Sequence, residues 1–451
     1  MDSLIRKYNV AVPRYTSYPT VPNWKTSEFD QHEYITHFKE GLKAANHEGI
    51  SLYIHLPYCE SLCTYCGCNT RLTVNHQVEG PYIDALLKEW LIYRSMFETK
   101  PRIAEIHLGG GTPTFFSVAQ LKRLVNGLLE NSEVAEDASF SFEAHPANTT
   151  DEHLTELKTL GFDRLSLGVQ DFDPKVQAAI NRKQTPEDVA RVTTKARALG
   201  YRSVNFDLVY GLPFQTLDGV LNAVDEVINL KPDRIAFYSY AHVPWKRPGQ
   251  RAYDESDLPK GKAKLDLFIQ GRKKLMEAGY HAIGFDHFAL DSDSLYKSYE
   301  SGTMHRNFMG YTDRKTEYLI GLGASSISDI GSAFAQNAKS VEGYLKKVNE
   351  STLPLVKGHL LTVDEKMIRQ HILNLTCKHR TSWAFGSKGE REYMRDRLSK
   401  LRDADSDQLV EYGMDWIRLT EKGRYFVRNI CSAFDKDYDG SMVSRSYSMG
   451  I

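Results

Sequence analysis

Residues 59–68 read Cys-Glu-Ser-Leu-Cys-Thr-Tyr-Cys-Gly-Cys, which places four of the chain's six cysteines within ten positions, directly behind the apolar run Ser51-Leu-Tyr-Ile-His-Leu56. Thiols so crowded at the end of a predicted strand are disulfides, a zinc site or an iron–sulfur cluster, and spacing separates the three. The opening residues, Met1-Asp-Ser-Leu-Ile-Arg-Lys, carry no basic-then-apolar leader. A reducing, cytoplasmic compartment is therefore expected, where clustered cysteines serve metal or redox chemistry rather than disulfides. Structural zinc usually takes two separated ligand pairs. No second pair follows here: Cys377 and Cys431 are single and stand in apolar helical contexts that suit small buried side chains. What remains is C-x3-C-x2-C, three thiolates on one tight loop, too few to saturate a four-iron cube. An unsaturated iron is an open coordination position, the feature that separates catalytic from structural metal sites.

Charge and hydropathy exclude two classes of partner. Lysine and arginine number 57 against 58 acidic residues, so no global positive field draws nucleic acid to the chain. Mean hydropathy is −0.44, and no apolar run reaches the roughly 18 residues of a membrane span. A length of 451 residues with 41% hydrophobic content bounds the chain at two or three domains with a sizeable core.

Short β-rich runs alternate with segments of helical period, the signature of βα units around a parallel sheet. Six strands are predicted, at Leu52–His55, Ile103–Leu108, Ser139–Glu143, Arg164–Gly168, Ser203–Val209 and Arg234–Tyr240. Between them lie helical stretches such as 81–90 and 185–192, the second with proline and acids in its first turn. Six units make an α/β fold of the incomplete (β/α)6 barrel type, and a seventh apolar run, Ala282–Phe288, is expected to extend it. Beyond about residue 360 the pattern predicts charged helices without strands, with Ser351–Gly358 as the linker. The expected domains are an N-terminal segment, 1–48, contributing to the active site, a barrel with its extension, 49–355, and a small, mainly helical C-terminal domain, 356–451. In such barrels functional groups gather at the C-terminal strand ends. The loop Gly109-Gly-Gly-Thr-Pro113 falls there and lets backbone amides approach a ligand.

The cysteine loop, with Tyr65 before its third cysteine, resembles the radical S-adenosylmethionine (SAM) superfamily. Its extended form Cys66-Gly-Cys-Asn69, together with Arg14-Tyr-Thr-Ser-Tyr-Pro-Thr20, resembles the oxygen-independent coproporphyrinogen III dehydrogenases over nearly the whole chain. The resemblance implies a [4Fe–4S] cluster on Cys59, Cys63 and Cys66, with one iron left for SAM. Cys68 is then supernumerary and, separated from the third ligand by one residue, is expected to point away from the cluster. Tyr65, Gly110, Gly111 and Thr112 match SAM-contacting positions. Tyr53 and Glu143 match positions at the first SAM, Glu143 with a catalytic role. Gln170, Arg182 and Asp207 match a second SAM site, and Ala241 and Ile327 two further contacts, so two SAM per chain are expected. His145 stands where the family usually has aspartate, and Met309 where it usually has glutamine.

The same resemblance implies the reaction. A 5′-deoxyadenosyl radical takes a β-hydrogen from a propionate of coproporphyrinogen III. Loss of CO2 and one electron leaves a vinyl group, and two such events give protoporphyrinogen IX. Reduced flavodoxin or ferredoxin is the expected donor, and a monomer the expected state. The propionates call for cations, of which Arg14, Arg182, Arg306, His242 and His305 are candidates. Two other readings are a related haem-binding chaperone, which lacks the Arg-Tyr-Thr-Ser-Tyr-Pro segment and the fourth cysteine, and a structural zinc protein.

Overall fold

Six parallel strands carry the fold: β1 (Ile50–Leu56), β2 (Arg102–Gly110), β3 (Glu133–Ala144), β4 (Phe162–Gln170), β5 (Ser203–Tyr210) and β6 (Arg234–Ser239). They pair in sequence order, as right-handed βα crossovers require. The computed structural model describes residues 2–24, 26–438 and 447. All six predicted strands are present, each within a few residues of its expected span except β3, which begins six residues earlier. β1 and β6 do not pair with each other, so the barrel stays open.

The two edges are extended differently. Beyond β6 the expected seventh strand is instead a hairpin, β7 (His281–Ile283) and β8 (His287–Ala289), whose second arm pairs antiparallel with β6. Gly284, at φ 61°, lies in the connecting turn, and Phe285 and Asp286 complete it. A continuous apolar run hides such a reversal, because apolar content alone does not mark a turn. Beyond β1, strand β9 (Leu319–Leu322) adds in parallel. After it come β10 (Ile327–Asp329), β11 (Ala333–Asn337) and β12 (Leu355–Leu360), all antiparallel. Residues 355–358 of the expected linker thus belong to an edge strand of the main sheet. Among the described residues this makes one twelve-stranded sheet.

Local signals account for the helices that cover it. The helix Pro186–Ala198 starts with Thr185 accepting from the Asp188 amide while the Asp188 carboxylate returns to the Thr185 amide, a reciprocal cap with proline at N1. Outward-facing Ile106, Leu108, Phe140, Phe142, Leu165, Leu167, Val204 and Phe206 share one core with helix residues such as Leu86, Trp90, Leu124 and Val192. The helix Gln31–Glu48 buries Tyr34, Phe38, Leu42 and Ala45 in that same core.

The C-terminal region is not strand-free. Arg380–Ser382, Val410–Tyr412 and Trp416–Leu419 form a three-stranded antiparallel sheet between its helices. These strands are only three or four residues long, too short for a period of two to announce them. A second core there joins Leu4, Ile5, Tyr15 and Tyr18 of the N-terminal arm to Ile368, Trp383, Ile417 and Phe426. The two ends of the chain therefore pack together and present residues 12–15 to the end of β6.

Candidate functional site

The cysteine loop leaves β1 and is closed by a short parallel pairing of residues 58–59 with 71–72. It is held from two sides. From the segment after β4, the Ile180 carbonyl accepts from the Thr64 amide at 3.0 Å and the Asn181 side chain donates to Leu62 O at 2.8 Å. From the segment after β6, Gln250 donates to Tyr65 O at 3.2 Å and Arg247 to the Gly67 and Cys68 carbonyls. Tyr65 packs against Val176, Ile180, Val209, Leu212, Tyr240 and Tyr253. The loop is thus fixed by groups at the ends of β4 and β6, where barrel chemistry gathers.

Cys59, Cys63 and Cys66 line one cavity of about 410 Å³ with Tyr65, Gly110, Gly111, Thr112, Glu143, Gln170, Arg182 and Asp207. Eleven of the residues singled out from sequence therefore share a single space. Arg14 and His145 also line it, as does Cys68, so the expectation that Cys68 points away is corrected. Its backbone amide approaches Cys66 Sγ at 3.4 Å. The bend at Cys68 brings it back toward Cys66. The Cys68 thiol also hydrogen-bonds Cys66, which holds the Cys66 thiol below its ordinary value and pushes Cys68 up. Burial pushes Cys59 up to about 11.

Gly110 shows why the glycine loop is glycine. Its φ is 107°, and a Cβ there would lie 2.4 Å from His55 Nδ1. At Gly111 a Cβ would meet the Pro57 backbone at 2.7 Å. This close approach lets the Gly110 amide donate to Glu143 Oε2 at 3.0 Å. Glu143 Oε1 lies 3.5 Å from His107 Nε2, and His107 Nδ1 lies 2.8 Å from Ser141 Oγ. Burial would raise the Glu143 carboxyl, but His107 and the Gly110 amide outweigh it and hold it below its ordinary value. Glu143 is therefore a carboxylate at neutral pH.

Arg182, on the same cavity, is buried. It donates from Nε to Gln184 Oε1 at 3.0 Å and to the Gly168 carbonyl, and its Nη1 lies 3.6 Å from Cys63 Sγ. A Cβ at Gly168 would come within 2.7 Å of Gln170 Nε2 and 2.8 Å of Arg182 Nη2, so the glycine makes room for both. Asp207 accepts from Ser166 Oγ at 3.0 Å and Asn205 Nδ2 at 2.9 Å. Burial, then the negative charge of Glu143, pushes it up to about 6.

Other expected residues lie off this wall. The Tyr53 hydroxyl is 3.1 Å from His55 Nδ1, and its ring stacks on His107 at 5.9 Å. The Ala241 carbonyl accepts from Gln250 at 3.2 Å, and Ile327 packs with Trp24, Phe308 and Phe334. Met309 lines a second cavity of about 120 Å³ inside the barrel, with Glu143, Asp207, Tyr238, His287 and Tyr311. The candidate cations divide. Arg14 and Arg182 face the main cavity. Arg306 is buried between the Phe285 and Tyr311 rings. His305 is pushed down to about 4 by burial and Arg369, and His145 to about 3 by burial and Arg182, so neither is charged at neutral pH. His242 is lowered by burial. His55, His107, Ser166, Lys264 and Arg428 were not singled out from sequence. His107 had a signal, because it alternates with Ile106 and Leu108 on a strand.

Among the described residues no three His, Cys, Asp or Glu side chains close on a point that could hold a single metal ion. The three thiols line the one cavity, a set of soft donors of the kind that holds an iron–sulfur cluster.

Known proteins share this arrangement. The Radical SAM superfamily model matches residues 53–227. The oxygen-independent coproporphyrinogen III oxidase of Pseudomonas aeruginosa is 38% identical over 442 residues, 96% of this chain and 95% of that protein. The protein of the same name from Escherichia coli K12 is 38% identical over 437 residues, 96% and 94% of the two chains. A solved structure of coproporphyrinogen III oxidase from Escherichia coli, a radical SAM enzyme, superposes with a TM-score of 0.89 at 36% identity, covering 96% of this chain and 98% of that one.

Proposed function

The chain belongs to the family of oxygen-independent coproporphyrinogen III oxidases within the radical SAM superfamily, and from that premise we propose that it converts two propionates of coproporphyrinogen III to the vinyl groups of protoporphyrinogen IX in haem biosynthesis. Each propionate loses a β-hydrogen atom, CO2 and one electron. The observation that carries this reading is the convergence of three cluster-spaced thiols, a glycine loop and Glu143 on one cavity. The full-length relatives bear the oxidase name, which favours the enzyme over the chaperone reading.

The family works with a [4Fe–4S] cluster and SAM. When bound, these supply one electron and, from SAM, methionine and a 5′-deoxyadenosyl radical, the hydrogen-abstracting agent. Cys59, Cys63 and Cys66 would hold the cluster. Gly110, Gly111 and Thr112 offer backbone groups, and Glu143 a carboxylate suited to the ammonium of the first SAM, with Tyr53 assigned to the same SAM; Ala241 and Ile327 stand as two further contacts. Gln170, Arg182 and Asp207 suit a second SAM, whose ribose diol donates and whose carboxylate accepts. The packing around Tyr65 fixes the loop against the barrel. We place the electron donor among reduced flavodoxins and ferredoxins and expect a monomer. No described helix is long and apolar enough to cross a membrane.

Anaerobic incubation with coproporphyrinogen III, SAM and dithionite tests the reading. Protoporphyrinogen IX is the expected product, and SAM cleavage with no change in the tetrapyrrole overturns the substrate.

The second SAM has a separate test. Titrated anaerobically with its cluster full, the protein should saturate at two SAM, and Asp207→Asn should weaken the second by about ten- to a hundredfold. Because Asp207 titrates near 6, the carboxylate exists above that pH and is protonated below it. The gap between wild type and Asp207→Asn should therefore close as pH falls from 7.5 to about 5. Saturation at one SAM in the wild type would remove the second site and turn attention to Met309→Gln.

A further inference from the structure

Three cations meet where the N-terminal arm crosses the end of β6. Arg14, on the arm, donates to the Ser239 carbonyl at 2.9 Å. Lys264, on the helix Gly261–Glu277, donates to the next carbonyl, Tyr240, at 3.0 Å. Arg428, from the C-terminal helix Val427–Ser432, donates from Nε to the Pro13 carbonyl at 3.1 Å and also to the Val12 carbonyl. The carbonyls involved are two consecutive pairs, 12–13 and 239–240, so three positive groups from distant parts of the sequence share a small volume.

Such crowding opposes itself. Burial first, then Arg14 and Arg428, pushes Lys264 down to about 8, and burial with Arg14 pushes Arg428 down to about 9. The nearby carboxylate, Asp286, is already 2.6 Å from His287 Nδ1 and also faces Arg306. Arg14 makes no ion pair among the described residues. It is exposed and lines the cavity that holds the three cysteines. The other cation on that cavity, Arg182, is buried and engaged by Gly168, Gln184 and Cys63.

We propose that this junction is a carboxylate subsite of the active-site mouth, where Arg14 contacts a non-reacting propionate of the tetrapyrrole and Lys264 and Arg428 act as positioning residues supplying the positive field behind it. The inference rests on the coproporphyrinogen reading. A tetrapyrrole with four propionates must present one to the radical while others face away from it, and a cation on the same cavity fixes which one is presented. The fold explains the placement as well. Arg428 ties the arm to the C-terminal region, so the subsite exists only when both chain ends are docked. An ammonium–carboxylate or guanidinium–carboxylate contact at such a partly desolvated rim is stronger than at an open surface.

The carboxylate has two available sources, the tetrapyrrole and SAM, and the experiment separates them. The affinity of the cluster-loaded protein for coproporphyrin III, a stable analogue, is measured by fluorescence quenching without SAM, and SAM affinity is titrated in parallel. Arg14→Ala should weaken coproporphyrin binding about ten- to a hundredfold. Arg14→Lys should recover part of that loss, and Lys264→Met should lose several-fold. The tetramethyl ester of coproporphyrin III should bind wild type and Arg14→Ala alike. Lys260→Met, an exposed charge paired with Glu255 before the same helix, serves as the control and should leave the affinity unchanged. Unaltered coproporphyrin affinity in Arg14→Ala, or a loss confined to SAM, overturns the subsite. Wild-type protein that turns over coproporphyrinogen while Arg14→Ala binds normally removes this inference alone, whereas wild type without turnover removes the substrate reading.

Discussion

Alanine at Cys63 is expected to remove both the cluster and all detectable SAM cleavage, while serine at Cys68 is expected to keep about four irons per chain. The contrast is sharp because both side chains line the same cavity within five residues of each other. Cys63 is one of three thiols spaced for the cube, and two thiolates cannot hold it. Cys68 lies two residues beyond Cys66 and acts on it as a hydrogen-bond donor. Serine retains donor capacity at that position. Anaerobic reconstitution followed by iron and sulfide assay, visible absorbance and 5′-deoxyadenosine detection reads both variants. Cluster and cleavage surviving in Cys63→Ala would sink the ligand assignment, and iron loss in Cys68→Ser equal to that in Cys63→Ala would make Cys68 a ligand and leave no iron open to SAM.

Much of the site was legible because strands write their two faces into alternate letters. On β2 the series Glu105, His107, Gly109 alternates with Ile106 and Leu108. On β3 Ser139, Ser141 and Glu143 alternate with Phe140 and Phe142. On β4 Arg164, Ser166, Gly168 and Gln170 alternate with Leu165, Leu167 and Val169. On β5 Ser203, Asn205 and Asp207 alternate with Val204, Phe206 and Leu208. The apolar members pack under the helices, and most of the polar ones line the two interior cavities. A polar stripe repeated on four neighbouring strands is the sequence image of a solvated lumen. The family resemblance picks out Glu143, Gln170 and Asp207, and the stripe carries them together with His107.

What failed to show was long-range. Arg428 reaches the arm, and Arg14 the end of β6 beside Lys264, only after the two ends of the chain dock, and no local period encodes that encounter. The edge strands β9 to β12 escaped for a related reason. They are short and sit among glycines and serines such as Gly321, Gly323 and Ser325–Ser326, and the pairing of β9 with β1, on which the others build, joins residues more than 260 apart. The family resemblance supplied Ala241 and Ile327, yet neither lies on the wall of the main cavity.

The floor of the barrel sets the second large effect, on stability. The N-terminal ends of β4 and β6 each place an arginine in the lumen, and Asp313 lies between them, 3.1 Å from Arg164 Nη1 and 3.3 Å from Arg234 Nη2. Asp293 adds a contact to Arg234 Nε at 2.6 Å, and Ser294 donates to Asp313. Arg234 and Asp293 are almost wholly buried, with side chains 5% and 2% exposed. Burial would raise the Asp313 carboxyl, but the two arginines hold it far below the usual carboxylate range. Asp313→Asn would leave Arg164 and Arg234 facing each other across a poorly solvated lumen, with one aspartate where there were two. Breaking a buried pair in this way costs about 3–5 kcal/mol, so the denaturant midpoint should fall markedly with the cluster loaded. The sign with pH follows from the lowered carboxyl: its stabilisation is fully present above the ordinary aspartate value of about 3.9 and is lost as pH falls below it. Between pH 8 and 5 the difference between wild type and Asp313→Asn should hold constant, and it should shrink below pH 4. A midpoint that does not move in Asp313→Asn would mean that the lumen screens the two arginines, and that the floor of this barrel is held by packing around Leu295 and Tyr311 rather than by charge.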